Sequence, residues 1–251
     1  MGELQLTYKQ NYFLYPAECD ARRQMPIALL MLRTLEVATL HANALGTGVS
    51  VLSKDNQSWV VQRLTVEMKR YPRPNETYAI STWVESFNRF FVNRNFAVYD
   101  SRDEIIGYIR TVWCAIDLST RKNCDISKFS FVTDVVTSIE CPIAEQSRLR
   151  PLKDYRSADY TFSYSDLDFN RHVRTCRYIE LLLDQWGLDF HDNHIINRFE
   201  ISFINEAHYS QKVNVRVDKN GTDEDTVVEM VDADTAKALC RARLVFTHTN
   251  D

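Results

Sequence analysis

Apolar side chains recur along this chain in two rhythms, and the rhythms come in the same order twice. Residues 26–45 are strong helix formers, apolar on nearly every side, with Pro26 suited to a first helical turn and Gly46 to the exit. A helix of that kind is expected to be covered all round. The period then changes to two. Residues 59–70, 76–85, 91–100 and 105–117 read as strands, broken by the turn-like segments Arg70-Tyr71-Pro72-Arg73-Pro74 and Asp100-Ser101-Arg102-Asp103. Within them Val92, Phe96 and Val98 share one face and Asn93 and Asn95 the other. A buried helix followed by antiparallel strands predicts an α+β unit in which a sheet wraps a helix.

Residues 141–158 differ in character, with two prolines, several basic residues and little apolar content. They read as a connector between a first domain, 1–140, and a second, 159–251. Beyond it the order restarts. Residues 171–186 read as a helix with Val173, Cys176, Ile179, Leu182, Leu183 and Trp186 on its apolar side. Strands follow at 198–205, 213–217, 227–231 and 238–246, with Asn220-Gly221 marking a hairpin turn. The two copies can be overlaid. Asp20 falls opposite Asp168, Arg22 opposite Asn170 and Gln24 opposite His172; setting Arg63 against Arg198 puts Tyr71 opposite Glu206. The second copy therefore offers polar groups that the first lacks.

Composition narrows the function classes. A net charge of −4 argues against a nucleic-acid binder. The 26–45 segment is interrupted by Arg33, Glu36, His41 and Asn43, so it reads as a buried helix and not a membrane span. The start of the chain lacks the basic and apolar regions of a secretory signal. None of the six cysteines forms a C-x-x-C pair, so reduced thiols in a cytoplasmic enzyme without metal or other cofactor are expected.

The constellation that could carry chemistry is Asp168-x-Asn170-x-His172, expected at a helix entrance. There the side-chain oxygens would cap free N–H groups, and the remaining N–H groups would form an oxyanion site. Histidine is the side chain whose unperturbed pKa lies near neutrality, which makes His172 a candidate, and Glu206, expected at a strand end, could serve as general base. Each has a plainer reading: Asp168 as a cap, Asn170 as a turn residue, His172 as a surface or core histidine, Glu206 as a solvated strand end. Cys176 falls on the apolar face, where core packing is the better reading than nucleophile.

The run Ser165-Asp166-Leu167-Asp168-Phe169-Asn170-Arg171-His172-Val173, with Tyr178-Ile179 after it, resembles the S-D-L-D-x-N-x-H-V block of the acyl-acyl carrier protein thioesterases of plants and bacteria. In the first half Trp59-Val60-Val61, Arg63, Arg70-Tyr71-Pro72, Thr82-Trp83-Val84, Val112-Trp113 and Thr120-Arg121 resemble that family's elements in the same order. The resemblance implies two tandem hotdog domains and hydrolysis of fatty acyl-carrier thioesters in fatty acid biosynthesis. It implies catalytic roles for Asp168, Asn170, His172 and Glu206, and an acyl tunnel in the first domain. Plant members carry a cysteine after the glutamate. Here that residue is Ala207, which favours direct attack by water. Trp83, Phe90, Phe91 and Trp113 are candidates to line the tunnel. Arg171, Arg174 and Arg177, spaced as on one side of a helix, are candidates to meet an acidic acyl carrier protein, with Arg148, Arg150, Lys153 and Arg156 in the connector as a second group. A monomer or homodimer is expected. An acyl-CoA thioesterase, a hotdog dehydratase and a non-catalytic acyl-binding module are the rival readings.

Overall fold

A computed structural model of the protein describes residues 5–129 and 133–249. Ten strands form one antiparallel sheet: β1 (Thr7–Phe13), β2 (Gln57–Met68), β3 (Thr77–Phe87), β4 (Val92–Tyr99), β5 (Ile105–Asp117), β6 (Tyr155–Thr161), β7 (His194–Phe203), β8 (Lys212–Asp218), β9 (Asp225–Asp232) and β10 (Ala238–His248). Across the sheet they run β1-β3-β4-β5-β2-β7-β10-β9-β8-β6. From either edge inward the order within a half is the same: its first strand, then its third, fourth, fifth and second. The halves meet where β2 pairs with β7, from Arg63 opposite Ser202 to Glu67 opposite Arg198.

The register of the repeat is fixed by two bulges. Gln62 in β2 is unpaired against β5, and Asn197 in β7 is unpaired against β10. A bulge adds one residue and turns the chain that follows to the other face, so its position sets which side chains point inward. The two bulges lie 135 positions apart, the spacing that sets Arg63 against Arg198 and Tyr71 against Glu206.

The helices are α1 (Ile27–Ala44), α2 (Val49–Leu52), α3 (Thr175–Leu183) and α4 (Leu188–Asn193). Helix α1 buries Ile27, Leu30, Met31, Thr34, Val37, Ala38 and His41, the three-and-four spacing of one helical face. Leu32 and Leu40 on its other side are 43% and 41% exposed, so α1 is not covered all round as its composition suggested. It packs beside α3. One core cluster joins both halves, from Leu14 and Met31 through Leu64 and Phe199 to Val228 and Leu244.

Strands β1 and β6 lie at the sheet edges and were not legible as strands. Their sequences, TYKQNYF and YRSADYT, carry polar residues at most positions because each has one neighbouring strand and little core to face. Strand β6 begins at Tyr155, inside the stretch read as connector. The rest of that stretch is not loose. Phe199 and Ile201 point into the core, so Arg198, Glu200 and Ser202 face the other side of the sheet, and the connector is fastened there. Gln146 donates to Ser202 Oγ (3.0 Å), the Ser147 N–H to Glu200 (3.0 Å), and Arg198 to the carbonyls of Ala144 and Glu145 (3.0 Å each).

Candidate functional site

The segment ahead of α3 is a tight turn and not a helix entrance. Asp168 Oδ1 accepts the backbone N–H groups of Asn170 (2.8 Å) and His172 (3.1 Å). The Asp168 N–H donates to the His172 carbonyl and the Arg171 N–H to the Asp168 carbonyl. Arg171 sits at φ 65°, a left-handed conformation incompatible with a continuing helix. The helix expected at 171–186 therefore starts at Thr175 and ends at Leu183. The N–H groups of residues 170 to 174 are all used, the last two by the carbonyls of Ala207 and Asp166. These backbone groups cannot form the oxyanion site expected of them. The Asn170 side chain makes no hydrogen bond to the described residues and lines the cavity, where its amide can donate.

The first half contains the same turn. Asp20 Oδ1 accepts the N–H groups of Arg22 (3.0 Å) and Gln24 (3.2 Å), the Asp20 N–H donates to the Gln24 carbonyl, and Arg23 has φ 57°. The Met25 N–H donates to the Pro72 carbonyl, as that of Val173 does to Ala207. What differs is the filling. Arg22 donates to the His194 carbonyl and Tyr71, buried, to the Ile196 carbonyl (2.8 Å). Two large side chains thus occupy the space that the shorter Asn170 and Glu206 leave open in the second half.

Glu206 lies past the end of β7, in a loop pinned on both sides. The Ile204 and Asn205 N–H groups donate to the Leu239 carbonyl, and the buried Ala207 N–H donates to Tyr178 Oη (2.8 Å). The loop delivers Glu206 Oε1 to 3.7 Å from His172 Nδ1. Glu206 Oε2 pairs with the guanidinium of Arg121, from the turn after β5 in the first half. The ring of His208 meets His172 edge-on at 5.2 Å. The sequence motifs contain Arg121 and Tyr178 but give neither a role, and they do not include His208.

Asp168, Asn170, His172, Glu206 and Arg121 line one end of a cavity of about 890 Å³. The cavity runs into the first half along Leu35, Ala38 and Ala42 of α1, past Trp59 and Val61, to Val84, Val92 and Arg94. Of the four aromatic residues expected to line a tunnel, only Trp113 does so. Trp83 is on the outer face of the sheet, packed with Cys141 and Ile143 under the connector, its Nε1 donating to the Ile139 carbonyl (2.7 Å). Phe90 and Phe91 sit in the β3–β4 turn, where Arg89 covers the Phe90 ring. Phe87 and Val92 line the cavity in their place.

The arginine row does not exist as a helical stripe. Arg171 precedes the helix, Arg174 is its N-cap and donates to the Ser165 carbonyl, and Arg177 is held by Asp166 (3.0 Å), Glu180 (3.0 Å) and Tyr160 (3.1 Å). Cys176 does not line the cavity, and burial followed by the Glu180 carboxylate pushes its thiol above the usual range. Cys114 does line it, but burial pushes its thiol up to about 11, far from a thiolate at neutral pH. Among the described residues no group of three His, Cys, Asp or Glu side chains could hold a metal ion, and no helix is long and apolar enough to cross a membrane.

Comparison with known proteins gives a consistent result. Residues 5–131 match the family model described as acyl-ACP thioesterase N-terminal domain, and residues 149–248 the one described as acyl-ACP thioesterase C-terminal domain. A solved acyl-ACP thioesterase from Bacteroides thetaiotaomicron is 30% identical, with a TM-score of 0.90, covering 98% of this chain and 100% of that one. The 12:0-ACP thioesterase from Umbellularia californica shares the fold at 20% identity and a TM-score of 0.84, covering 99% of this chain and all of that one. A chloroplastic palmitoyl-acyl carrier protein thioesterase from Gossypium hirsutum is 27% identical over 222 residues, 80% of this chain and 52% of the relative. The chain spans about half the length of the curated relatives it matches first.

Proposed function

The chain belongs to the acyl-ACP thioesterase family, and on that premise we propose that it hydrolyses fatty acyl-acyl carrier protein to free fatty acid and carrier thiol, in fatty acid biosynthesis. The observation that carries the reading is the cavity of about 890 Å³ that opens onto Asn170, His172 and Glu206 and is lined by α1 and β2 of the other half. A space of that size suits an acyl chain. The two halves are read as tandem hotdog units, divided near residues 141–154. Their matched strand order and bulges support this, as does the repeated aspartate turn.

The chemistry asked of the site is modest. A thiolate is a good leaving group, so the protein has to activate water and hold the oxyanion. Ala207, the residue after Glu206, carries no thiol and is fully buried in the core. Water is therefore the nucleophile, activated by the His172–Glu206 pair. Asn170 donates its amide to the thioester carbonyl, and Asp168 holds Asn170 and His172 in place. Arg171, exposed on the same turn, meets the carrier, and the site of action is cytoplasmic.

The test is release of free acid from a panel of acyl-carrier and acyl-CoA thioesters of different lengths. Carrier thioesters should give the higher kcat/KM, and His172→Ala and Glu206→Gln should each lower kcat by roughly 100- to 10,000-fold. Equal or better turnover of the CoA thioesters would replace the carrier with CoA. Near-normal hydrolysis by either variant would remove that residue from the mechanism.

A further inference from the structure

Arg121 reaches the site from the first half of the chain, whereas Asp168, Asn170, His172 and Glu206 belong to the second. Its position is costly to build. It sits at φ 58°, a left-handed conformation that a side chain with a Cβ seldom adopts. The strain is held by Asp117, whose Oδ1 accepts the Ser119 N–H (3.0 Å), the Thr120 N–H (2.6 Å) and the Thr120 hydroxyl (2.9 Å), while the Arg121 N–H donates to the Asp117 carbonyl. The same turn recurs at residues 232–236, away from the cavity, so it is a general scaffold that fixes the direction of the side chain it carries. Here it delivers a guanidinium to Glu206 Oε2 and leaves Oε1 facing His172.

We infer that Arg121 is a positioning residue that makes Glu206 the orienting carboxylate of the site and His172 its base. The inference rests on the thioesterase reading above and deepens it. With Oε2 occupied by the guanidinium, Oε1 is the oxygen left to accept a hydrogen bond, and it faces the imidazole. That oxygen is a good acceptor for an imidazole N–H. Glu206 Oε1 faces Nδ1, 3.7 Å away, a gap that a small side-chain adjustment closes when substrate tightens the site. Nδ1 then carries the hydrogen, and Nε2 is the nitrogen with a free lone pair. The division of labour is that of a carboxylate that orients an imidazole without itself taking the proton.

The step balances without a co-reactant. Water gives one proton to His172 Nε2 as its oxygen bonds to the thioester carbon, and the carbonyl electrons move to the oxygen beside Asn170. The intermediate collapses, the carbon–sulfur bond breaks, and the departing sulfur takes the proton from Nε2. The products are the acid and the thiol, and Glu206 keeps its charge throughout.

A double-mutant cycle tests this. Arg121→Gln should lower kcat by roughly 10- to 100-fold, up to the scale on which a misplacement of about 1 Å slows a reaction, with KM nearly unchanged, and Arg121→Lys should recover part of the loss. In a Glu206→Gln background, Arg121→Gln should lower kcat less than about threefold further, because its effect passes through Glu206. A rise in KM at constant kcat would make Arg121 a substrate contact, and full additivity with Glu206→Gln would give it a separate role; either overturns the inference. The nitrogen NMR shifts of His172 give a reading independent of turnover. The Nδ1–H tautomer should dominate in the unaltered protein and lose its dominance in Arg121→Gln. A dominant Nε2–H tautomer in the unaltered protein refutes the assignment even if no thioester is cleaved.

Discussion

Asp20 and Asp168 do the same mechanical work in two places, and only Asp168 borders the cavity. That makes a paired experiment possible inside one molecule. Each aspartate accepts two backbone N–H groups, at 3.0 and 3.2 Å for Asp20 and at 2.8 and 3.1 Å for Asp168. Both are half-buried. Removing a side chain that caps backbone N–H groups in this way costs about 1–2 kcal/mol, or roughly 2–8 °C in Tm for a chain of this size. Asp20→Ala and Asp168→Ala should therefore destabilise by similar amounts in a thermal melt. Their activities should part. Asp20→Ala should keep kcat within about twofold once the protein is folded. Asp168→Ala frees Asn170 and His172 to move by an ångström or so, a displacement that costs on the order of 100-fold in rate. Asp168→Asn keeps an acceptor oxygen and should fall between the two. If Asp168→Ala lost activity with no loss of stability, Asp168 would be a reacting group and the mechanical account would be wrong.

Three further outcomes follow from the site and its surroundings. Cys176→Ser should retain nearly full kcat in the thioesterase assay, because the thiol faces away from the cavity; a loss beyond about tenfold would restore it as a candidate nucleophile. Arg94 is buried at the cavity wall, has no carboxylate partner among the described residues and donates to His41 Nδ1 (2.9 Å); an alkyl chain cannot lie against such a cation without cost, so Arg94→Met should shift the preferred acyl length upward, and an unchanged length profile would remove Arg94 as the stop. Burial, and then the Arg94 charge, push the His41 imidazole down to about 4. The unfolded chain takes up this proton near pH 6.5, so His41 costs stability as pH falls from about 6.5 toward 4, on the order of 2 kcal/mol between pH 7 and pH 5. In urea unfolding the stability gap between the unaltered protein and His41→Gln should shrink by that amount over the same range, and a pH-independent gap would contradict it.

The repeat was legible because its signals are local. A long apolar helix followed by alternating strands appears twice, and the overlay of Arg63 on Arg198 agrees with the positions of the bulges at Gln62 and Asn197. The start of α3 was misplaced because Asp168 looks like a helix cap in sequence, whereas its oxygen closes a turn whose fourth residue, Arg171, reverses the backbone. The tunnel residues were chosen for being aromatic and not by strand parity. Tyr78 and Ile80 point into the core, so Trp83 points outward, and the alternation alone could have said so. Arg121 could not have been found this way. Its partner lies far along the chain in the other half, and no local pattern joins a turn after β5 to a loop after β7.

The fastening of the connector has a consequence for recombination within the family. Exchanging first halves between relatives is an obvious route to altering the acyl group released, and a crossover in a loose linker would be the natural choice. Here the linker is a strap over the junction of β2 and β7, held by Arg198, Glu200 and Ser202 of the second half. A hybrid cut at residue 140 would lay a foreign sheet under that strap and present a foreign turn to Glu206. The inheritable module is therefore larger than one half: residues 1–154, with the outward-facing side of β7 and Arg243, which holds Ser147 from β10, taken from the same parent.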